Sequence, residues 1–369
     1  MSENKLNEIP EVMTAVQLTG NGGPEKLSVL HDIPVPEIGE DEVLLRVKTC
    51  GMNNTDINTR VGWYSKSVTA ATSSKGFGHI EDEQTWGGER LSFPRIQGAD
   101  VCGIVVDVGK DAEAGLIGRR VLVDPCIRDP KSENWRDNAK YLGSEINGAF
   151  AQYCAVPLRN TYPINSEMTD IELASFPCSW ATAEHMLTRS RLRKGQTLVV
   201  TGASGGVGTA LIQLAKLREA CVIAVTSSEK FNSVKDCGAD LVLDRNEKEL
   251  KGNIIELAQG PVDVLADVAG GNNFAQLFES ITKGGCYVTS GAIAGPIVDL
   301  DLRTLYLNDI EMHGCTVYDP SVFKMLIEYI ENERVKPVIG GVFRLEEIRQ
   351  AQEEFSKKQH VGAMVLTVD

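Results

Sequence analysis

The chain of 369 residues contains no Cys-x-x-Cys pair, no cluster of Lys and Arg, and no apolar run long enough to span a bilayer. Each absence excludes something. Without clustered cations, and with a net charge of -14, it lacks the surface that neutralises nucleic-acid phosphates. Its nine cysteines, at 50, 102, 126, 154, 178, 221, 237, 286 and 315, form neither a disulfide ladder nor a closely spaced metal set, so buried reduced thiols are expected. The opening segment MSENKLNEIPEVM is polar and acidic, with neither the basic start nor the apolar stretch of a signal peptide; a cytoplasmic protein is expected.

What is present is ordinary globular material: 42% apolar and 24% charged residues, in a length that suits two domains. Two styles of sequence alternate. Residues 13 to 160 carry short alternating apolar runs (EVLLRVKTC, CGIVVDVG, RRVLVDP, FAQYCAVP) broken by Gly and Pro, which predicts an irregular, mainly β unit. From about 165, buried strands (LVVT, VIAVT, LVLD, VDVLADVA, GCYVTSG) alternate with helical stretches, which predicts a doubly wound parallel sheet. After about 320 come a helix, SVFKMLIEYIENERV, and a final strand, AMVLTVD. The expected division is a mainly β unit over 1–165, a doubly wound unit over 166–319, and a return of 320–369 to the first unit.

The most informative stretch is TLVVTGASGGVGTALIQLAK, residues 197 to 216. A buried strand, a glycine turn and a helix follow one another, the context in which such a turn binds a dinucleotide. Gly205 and Gly206 let backbone approach a pyrophosphate, Gly208 permits close helix packing, and the N–H of Val207 and its neighbours form an anion site. Ala203 stands where the first glycine of GxGxxG would be. At the end of the second strand, an NAD-binding protein usually places an acid for the ribose hydroxyls. This chain has Thr226, Ser227 and Ser228, with Lys230 and Arg245 nearby, which favours the 2′-phosphate of NADPH. The other reading makes Ser227 or Ser228 a helix cap and Lys230 a solvated charge, with Glu229 reaching the ribose of NAD.

These motifs resemble the medium-chain dehydrogenase/reductase superfamily, in which a GroES-like catalytic domain is split around a Rossmann domain. Its GxExxGxVxxVG…GDRV stretch is matched by GADVCGIVVDVGKDAEAGLIGRRV, Gly98 to Val121. Zinc alcohol dehydrogenases of that superfamily hold catalytic metal with a Cys in GxCHTD, a His in GHE and a later Cys. The corresponding positions are Asn53, Ala99 and Cys178, and the lobe that carries structural zinc in those relatives has Cys126 alone. Neither zinc is expected.

The stretch NNTDINTRVGWY is similar to the NPSDINxxxGxY of zinc-free quinone oxidoreductases and enoyl reductases. That resemblance implies Tyr64 as proton donor, with Asn53 adding an uncharged amide donor toward the acceptor oxygen. The bland alternatives are an aromatic packed on Trp63 and a turn-forming Asn; Asp56 is expected to bond local amides. Thr182 matches a threonine beside the nicotinamide, and Ser290, Gly291 and Ala292, at a strand's carboxyl end, could bond its amide. Glu184 and His185 replace the usual residues after it, and adjacent helix positions point too far apart to share a reacting atom. Between Tyr64 and Gln97 lies an insertion, with His79 and Trp86 as candidate substrate contacts.

The expected activity is therefore hydride transfer from NADPH to a quinone or an activated C=C bond without metal, in a homodimer acting on a small molecule and binding neither nucleic acid nor membrane. An alcohol or aldehyde dehydrogenase of the same superfamily, or a non-catalytic nucleotide-binding member, are the alternatives.

Overall fold

A computed structural model describes residues 9–72, 86–87, 90–129, 131–134 and 136–368. Its architecture is α/β, with two sheet systems that meet along a cleft. In the first, strands run in the order Thr161–Pro163, Arg120–Val123, Cys102–Val108, Glu42–Met52, Ala363–Thr367 and Ile339–Arg344, and Tyr153–Pro157 also pairs with Glu42–Met52. A smaller sheet of Leu27–Pro34, Val12–Leu18 and Arg95–Ile96 packs beside it. Apolar side chains such as Leu45, Val47, Val105 and Val156 fill the interior.

The second sheet has the order Leu241–Asp244, Cys221–Thr226, Thr197–Val200, Val262–Asp267, Ile281–Thr289 and Glu311–Gly314, and every pairing in it is parallel. Strands covered on both faces need apolar side chains in both directions, which is why CVIAVT and VDVLAD read as near-continuous apolar runs. One face packs under the helices Pro177–Arg189 and Gly206–Leu217, with Trp180, Leu211 and Leu214 buried. The opposite face closes over Phe274, Phe278 and Tyr287.

The helix Pro320–Glu331 packs on the helix Pro177–Arg189 through Phe323 and Leu326, beside the parallel sheet. The segments Ile339–Arg344, Ile348–Ser356 and Ala363–Thr367 return to the N-terminal sheet, adding a pair of mutually parallel strands and a helix to it. All nine cysteines are free thiols. No helix among the described residues is long and apolar enough to cross a membrane.

Candidate active site

The glycine turn has the shape a dinucleotide phosphate requires. Gly202 sits at φ +56°, a left-handed conformation that reverses the chain at the end of the strand Thr197–Val200. A Cβ on Gly208 would fall 2.4 Å from the Gly202 carbonyl oxygen and 2.6 Å from Ala203 backbone, so that position admits only glycine. A Cβ on Gly205 would meet nothing nearer than 3.5 Å and would instead project into the open space at the helix N-terminus. Ala203 replaces the usual first glycine without penalty, its methyl fully buried against the fold. The helix Gly206–Leu217 thus begins with N–H groups of Val207 and its neighbours directed at a bare approach, and the residues fit a pyrophosphate.

Beyond the strand Cys221–Thr226, Ser227 precedes a single 3-10 turn, Ser228–Lys230, and the Arg245 N–H bonds the Thr226 carbonyl at 2.8 Å. Lys230 is not a solvated charge. It is buried, and its Nζ donates to the carbonyls of Lys358 at 2.6 Å and His360 at 3.0 Å. Those residues come from the far end of the chain, held against the glycine turn by the bond from Gly362 N–H to Ser204 O, 2.8 Å. Lys358 lies 3.9 Å over the Phe355 ring and donates to Asn54 Oδ1 at 2.6 Å; burial, followed by Lys230, pushes its pKa down to about 7. The His360 Nδ1 is buried without a partner among the described residues. Sequence reasoning missed Lys358 and His360, because only the fold brings KKQH to a loop some 150 residues away in sequence.

On the other side of the cleft, Thr182 is half-buried one turn beyond Cys178 on the helix Pro177–Arg189. Ser290 bonds the Met186 sulfur at 3.1 Å, and Gly291 and Ala292 follow the strand's end at Thr289. Glu184 and His185 point to different neighbours. Fully buried, Glu184 pairs with Arg218 and accepts from Thr188 Oγ1, a staple to the glycine-turn helix rather than a pocket floor. His185 faces Tyr318, ring centroids 6.1 Å apart; burial and then the charges of Arg189, Arg136 and Arg128 push its pKa down to about 4, so it is neutral at physiological pH.

The catalytic-domain half of the cleft is a network of neutral and buried groups. Asn53 begins the helix Asn54–Val61, its N–H bonded to Asp56 Oδ2 at 2.8 Å. Its side-chain Nδ2 donates to Asp100 Oδ2 at 2.8 Å, and the other oxygen of Asp100 accepts the Cys178 N–H at 2.7 Å. Burial raises the pKa of Asp100 to about 8 and that of Asp56 to about 7, so both carboxyls hold protons near neutrality far more than an exposed acid does. Asp56, as expected, bonds local amides: the second is Gly98 N–H at 3.3 Å. The helix ends at Gly62, φ +68°, and the chain swings Tyr64 inward, where its hydroxyl donates to Thr55 Oγ1 at 3.1 Å and its ring meets Trp63 edge-on. Burial pushes the Tyr64 phenol up to about 12. It is a fully protonated donor at any physiological pH.

Two members of this network were not read from the sequence. Asp100 follows Ala99 directly in GAD, a signal that was available. Tyr141, from the cysteine-poor lobe, is buried with its hydroxyl against the Cys178 thiol, and nothing local marks it. Burial holds the Cys178 thiol well above its ordinary range, which makes it a packed neutral group. The insertion is tied at both described ends: the Thr72 N–H bonds the Ile293 carbonyl at 3.0 Å, while Trp86 lies on Tyr141, centroids 4.8 Å apart, and Gly87 N–H bonds Glu145 at 2.7 Å. His79 lies outside the described residues.

The donor set does not suit zinc. Asn53 and Ala99 supply neither thiolate nor imidazole, and among the described residues no group of three or more His, Cys, Asp or Glu could hold a metal ion.

Comparison with known proteins agrees with this geometry. Residues 39–166 match the alcohol dehydrogenase GroES-like domain family, and residues 206–332 match the zinc-binding dehydrogenase family. The crystal structure of a candidate alcohol dehydrogenase from Sinorhizobium meliloti 1021 is similar with a TM-score of 0.88 and 42% identity, covering 98% of each chain. An NAD-dependent alcohol dehydrogenase of Sulfurisphaera tokodaii is 27% identical over 96% of this chain and 99% of its own. A quinone oxidoreductase of Rattus norvegicus is 26% identical over 96% and 98%.

Proposed function

Since the chain belongs to the medium-chain dehydrogenase/reductase superfamily of oxidoreductases, we propose that it is an NADPH-dependent reductase of quinones or activated C=C bonds that works without a metal. The observation that supports this reading is the bond chain in which Asp100 accepts from the Asn53 side chain and from the Cys178 N–H, at the positions where the zinc-holding relatives' ligands would stand. The cofactor would lie over the glycine turn and supply hydride to the acceptor's β-carbon. Charge then develops on the acceptor's carbonyl oxygen, and stabilising it falls to the protein. Asn53 has a second Nδ2 hydrogen beyond the one given to Asp100, and Tyr64 carries a phenolic proton. Donors aimed at a developing oxyanion in a dry site lower the barrier. Thr182, Ser290, Gly291 and Ala292 would orient the nicotinamide; Gly205, Gly206, Val207 and Gly208 would hold the pyrophosphate.

Selection of NADPH is supported by Lys230, Lys358 and Arg245 around Ser227 and Ser228, where no buried acid competes; Glu229 is exposed. A homodimer is supported by the outer edge of the parallel sheet. Among the described residues the strand Glu311–Gly314 has one unpaired side, and Ile297, Leu302, Tyr306, Leu307 and Met312 are exposed in and just before it in the chain.

The test is oxidation of NADPH and NADH against enones, enoyl thioesters, quinones and aldehydes, with zinc content measured on the same active sample. Preference for NADPH and a C=C or quinone acceptor supports the proposal. Stoichiometric zinc whose removal abolishes turnover would establish the second reading, an alcohol dehydrogenase, which the names of the S. meliloti and S. tokodaii relatives favour.

A further inference from the structure

The first described part of the insertion, residues 65–72, leaves the helix Asn54–Val61 through Trp63 and Tyr64. It turns back on itself where the Val68 N–H bonds the Ser65 carbonyl at 3.0 Å and the hydroxyls of Ser65 and Ser67 meet at 2.7 Å. The Trp63 indole N–H donates to the Ala70 carbonyl at 2.9 Å, so the ring that packs edge-on against Tyr64 also holds this segment. Two residues later the segment reaches the other sheet system, where the Thr72 N–H bonds the Ile293 carbonyl at 3.0 Å.

Ile293 belongs to the carboxyl edge of the parallel sheet. It follows Ser290, Gly291 and Ala292 beyond the strand Ile281–Thr289, and its own N–H bonds the carbonyl of Val268, just past the strand Val262–Asp267, at 3.3 Å. A Cβ on Gly202 would fall 2.8 Å from Val268 Cγ2, which makes Val268 the common neighbour of the glycine turn and of Ile293. Thr72 is thus fixed at the edge where open α/β sheets hold their ligands, with Ile293 and Val268 between it and the anion-binding turn.

The Thr72 side chain has no use within the described chain. The residue is 6% exposed, yet its hydroxyl has no hydrogen-bond partner among the described residues. Pairing with Ile293 needs only the backbone, and valine would fill the same space without the cost of taking a polar group out of water. A buried hydroxyl left open at a ligand edge is complementary to a polar group that arrives with the ligand. Because a hydroxyl both donates and accepts, it suits a carboxamide, which offers one group of each kind.

We propose that the Thr72 hydroxyl bonds the carboxamide of the cofactor's nicotinamide, so that the insertion supplies part of the cofactor site and ties the nicotinamide to the segment that begins at Tyr64. The inference rests on the pyridine-nucleotide part of the proposed function and does not depend on which acceptor is reduced.

The experiment is calorimetric titration of wild type, Thr72→Val and Thr72→Ser with NADPH and with 2′-phospho-ADP-ribose, which keeps both riboses and the phosphates but lacks the nicotinamide. NADH and ADP-ribose form a second pair. Thr72→Val should weaken the dinucleotide about fivefold while the fragment stays within about twofold, and Thr72→Ser should recover most of the loss. The melting temperature of ligand-free Thr72→Val should not fall, because the hydroxyl it removes has no partner there. Unchanged dinucleotide affinity in Thr72→Val, an equal loss with the fragment, no recovery in Thr72→Ser, or a lower melting temperature would overturn the proposal. Binding of neither dinucleotide to wild type would sink it together with the cofactor reading. If the affinities behave as expected while no enone or quinone is reduced, the reductase reading fails and the assignment of Thr72 stands. If those acceptors are reduced but Thr72→Val binds the dinucleotide as wild type does, the reductase reading stands and the assignment fails.

Discussion

The glycine turn and the network around Asn53 are built from opposite materials. At the glycine turn the groups presented are backbone N–H donors at one helix end, and side chains matter mainly by being missing. In the catalytic-domain half the groups are mainly side chains from separated segments: Asn53 and the Cys178 N–H are joined through Asp100, Tyr141 meets the Cys178 thiol, and Tyr64 is held by Thr55. A backbone site is fixed by a short contiguous motif, whereas a side-chain network depends on the whole fold to bring it together.

The largest expected effect tests the backbone side. Gly208→Val puts a branched side chain where even a Cβ lies 2.4 Å from a carbonyl oxygen, so the turn must open. A loss of stability of ~3 kcal/mol or more is expected in thermal unfolding, together with loss of cofactor binding. Normal binding by this variant would break the comparison. Next comes the acceptor side: Tyr64→Phe keeps the ring against Trp63 and removes only the proton, so kcat/KM for the acceptor should fall roughly 10²-fold while the dissociation constant for NADPH stays within about twofold. If the cofactor constant moves instead, Tyr64 is a packing residue.

A smaller effect is expected at the seam between the two sides. Lys358→Met should raise KM for NADPH about tenfold with little change for NADH. In wild type, Lys358 carries its charge below its pKa of about 7 and loses it above, so KM for NADPH should climb as pH rises from 6 to 8, accompanied by proton uptake on binding. A flat profile would remove Lys358 from the phosphate site. The smallest effect concerns stability. Asp100 holds its proton to about pH 8 in the folded chain and releases it near 3.8 when unfolded, so the folded state binds more protons in between and stability declines as pH rises across that window. Asp100→Asn should lower the melting temperature at pH 5 slightly, through the lost bond, and flatten the decline between pH 5 and 8.5. Parallel slopes for both proteins would mean that Asp100 titrates elsewhere.

How legible each part was follows from the same contrast. The strand, glycine turn and helix around Gly205–Gly208 could be read from twenty consecutive residues, because strand periodicity, turn chemistry and helix packing all act locally. Asn53 and Tyr64 could be picked out, since they flank one short helix, Asn53 capping its start and Tyr64 following its glycine stop. Of the other members, Asp100 was within reach, since it follows Ala99 in the same GAD, whereas Tyr141 belongs to a lobe with no local pattern. Lys230 illustrates the limit from the other direction. Its position just beyond the second strand of the parallel sheet was readable, but not its burial or its bonds to the carbonyls of Lys358 and His360.

By itself, the sequence determined the parallel sheet, the mainly β partner domain, the anion-binding turn and the replacement of metal-ligand residue types by Asn53 and Ala99. These are consequences of residue type and near-neighbour spacing, which need no knowledge of where distant segments lie. Only the tertiary structure decided that the C-terminal segment would deliver Lys358 and His360 to the glycine turn, that Glu184 would pair with Arg218 away from the cleft, and that Tyr141 would meet the Cys178 thiol. Each of those depends on burial and on contacts between segments far apart in the chain, where the cost of an unpaired polar group, rather than any local preference, chooses the partner.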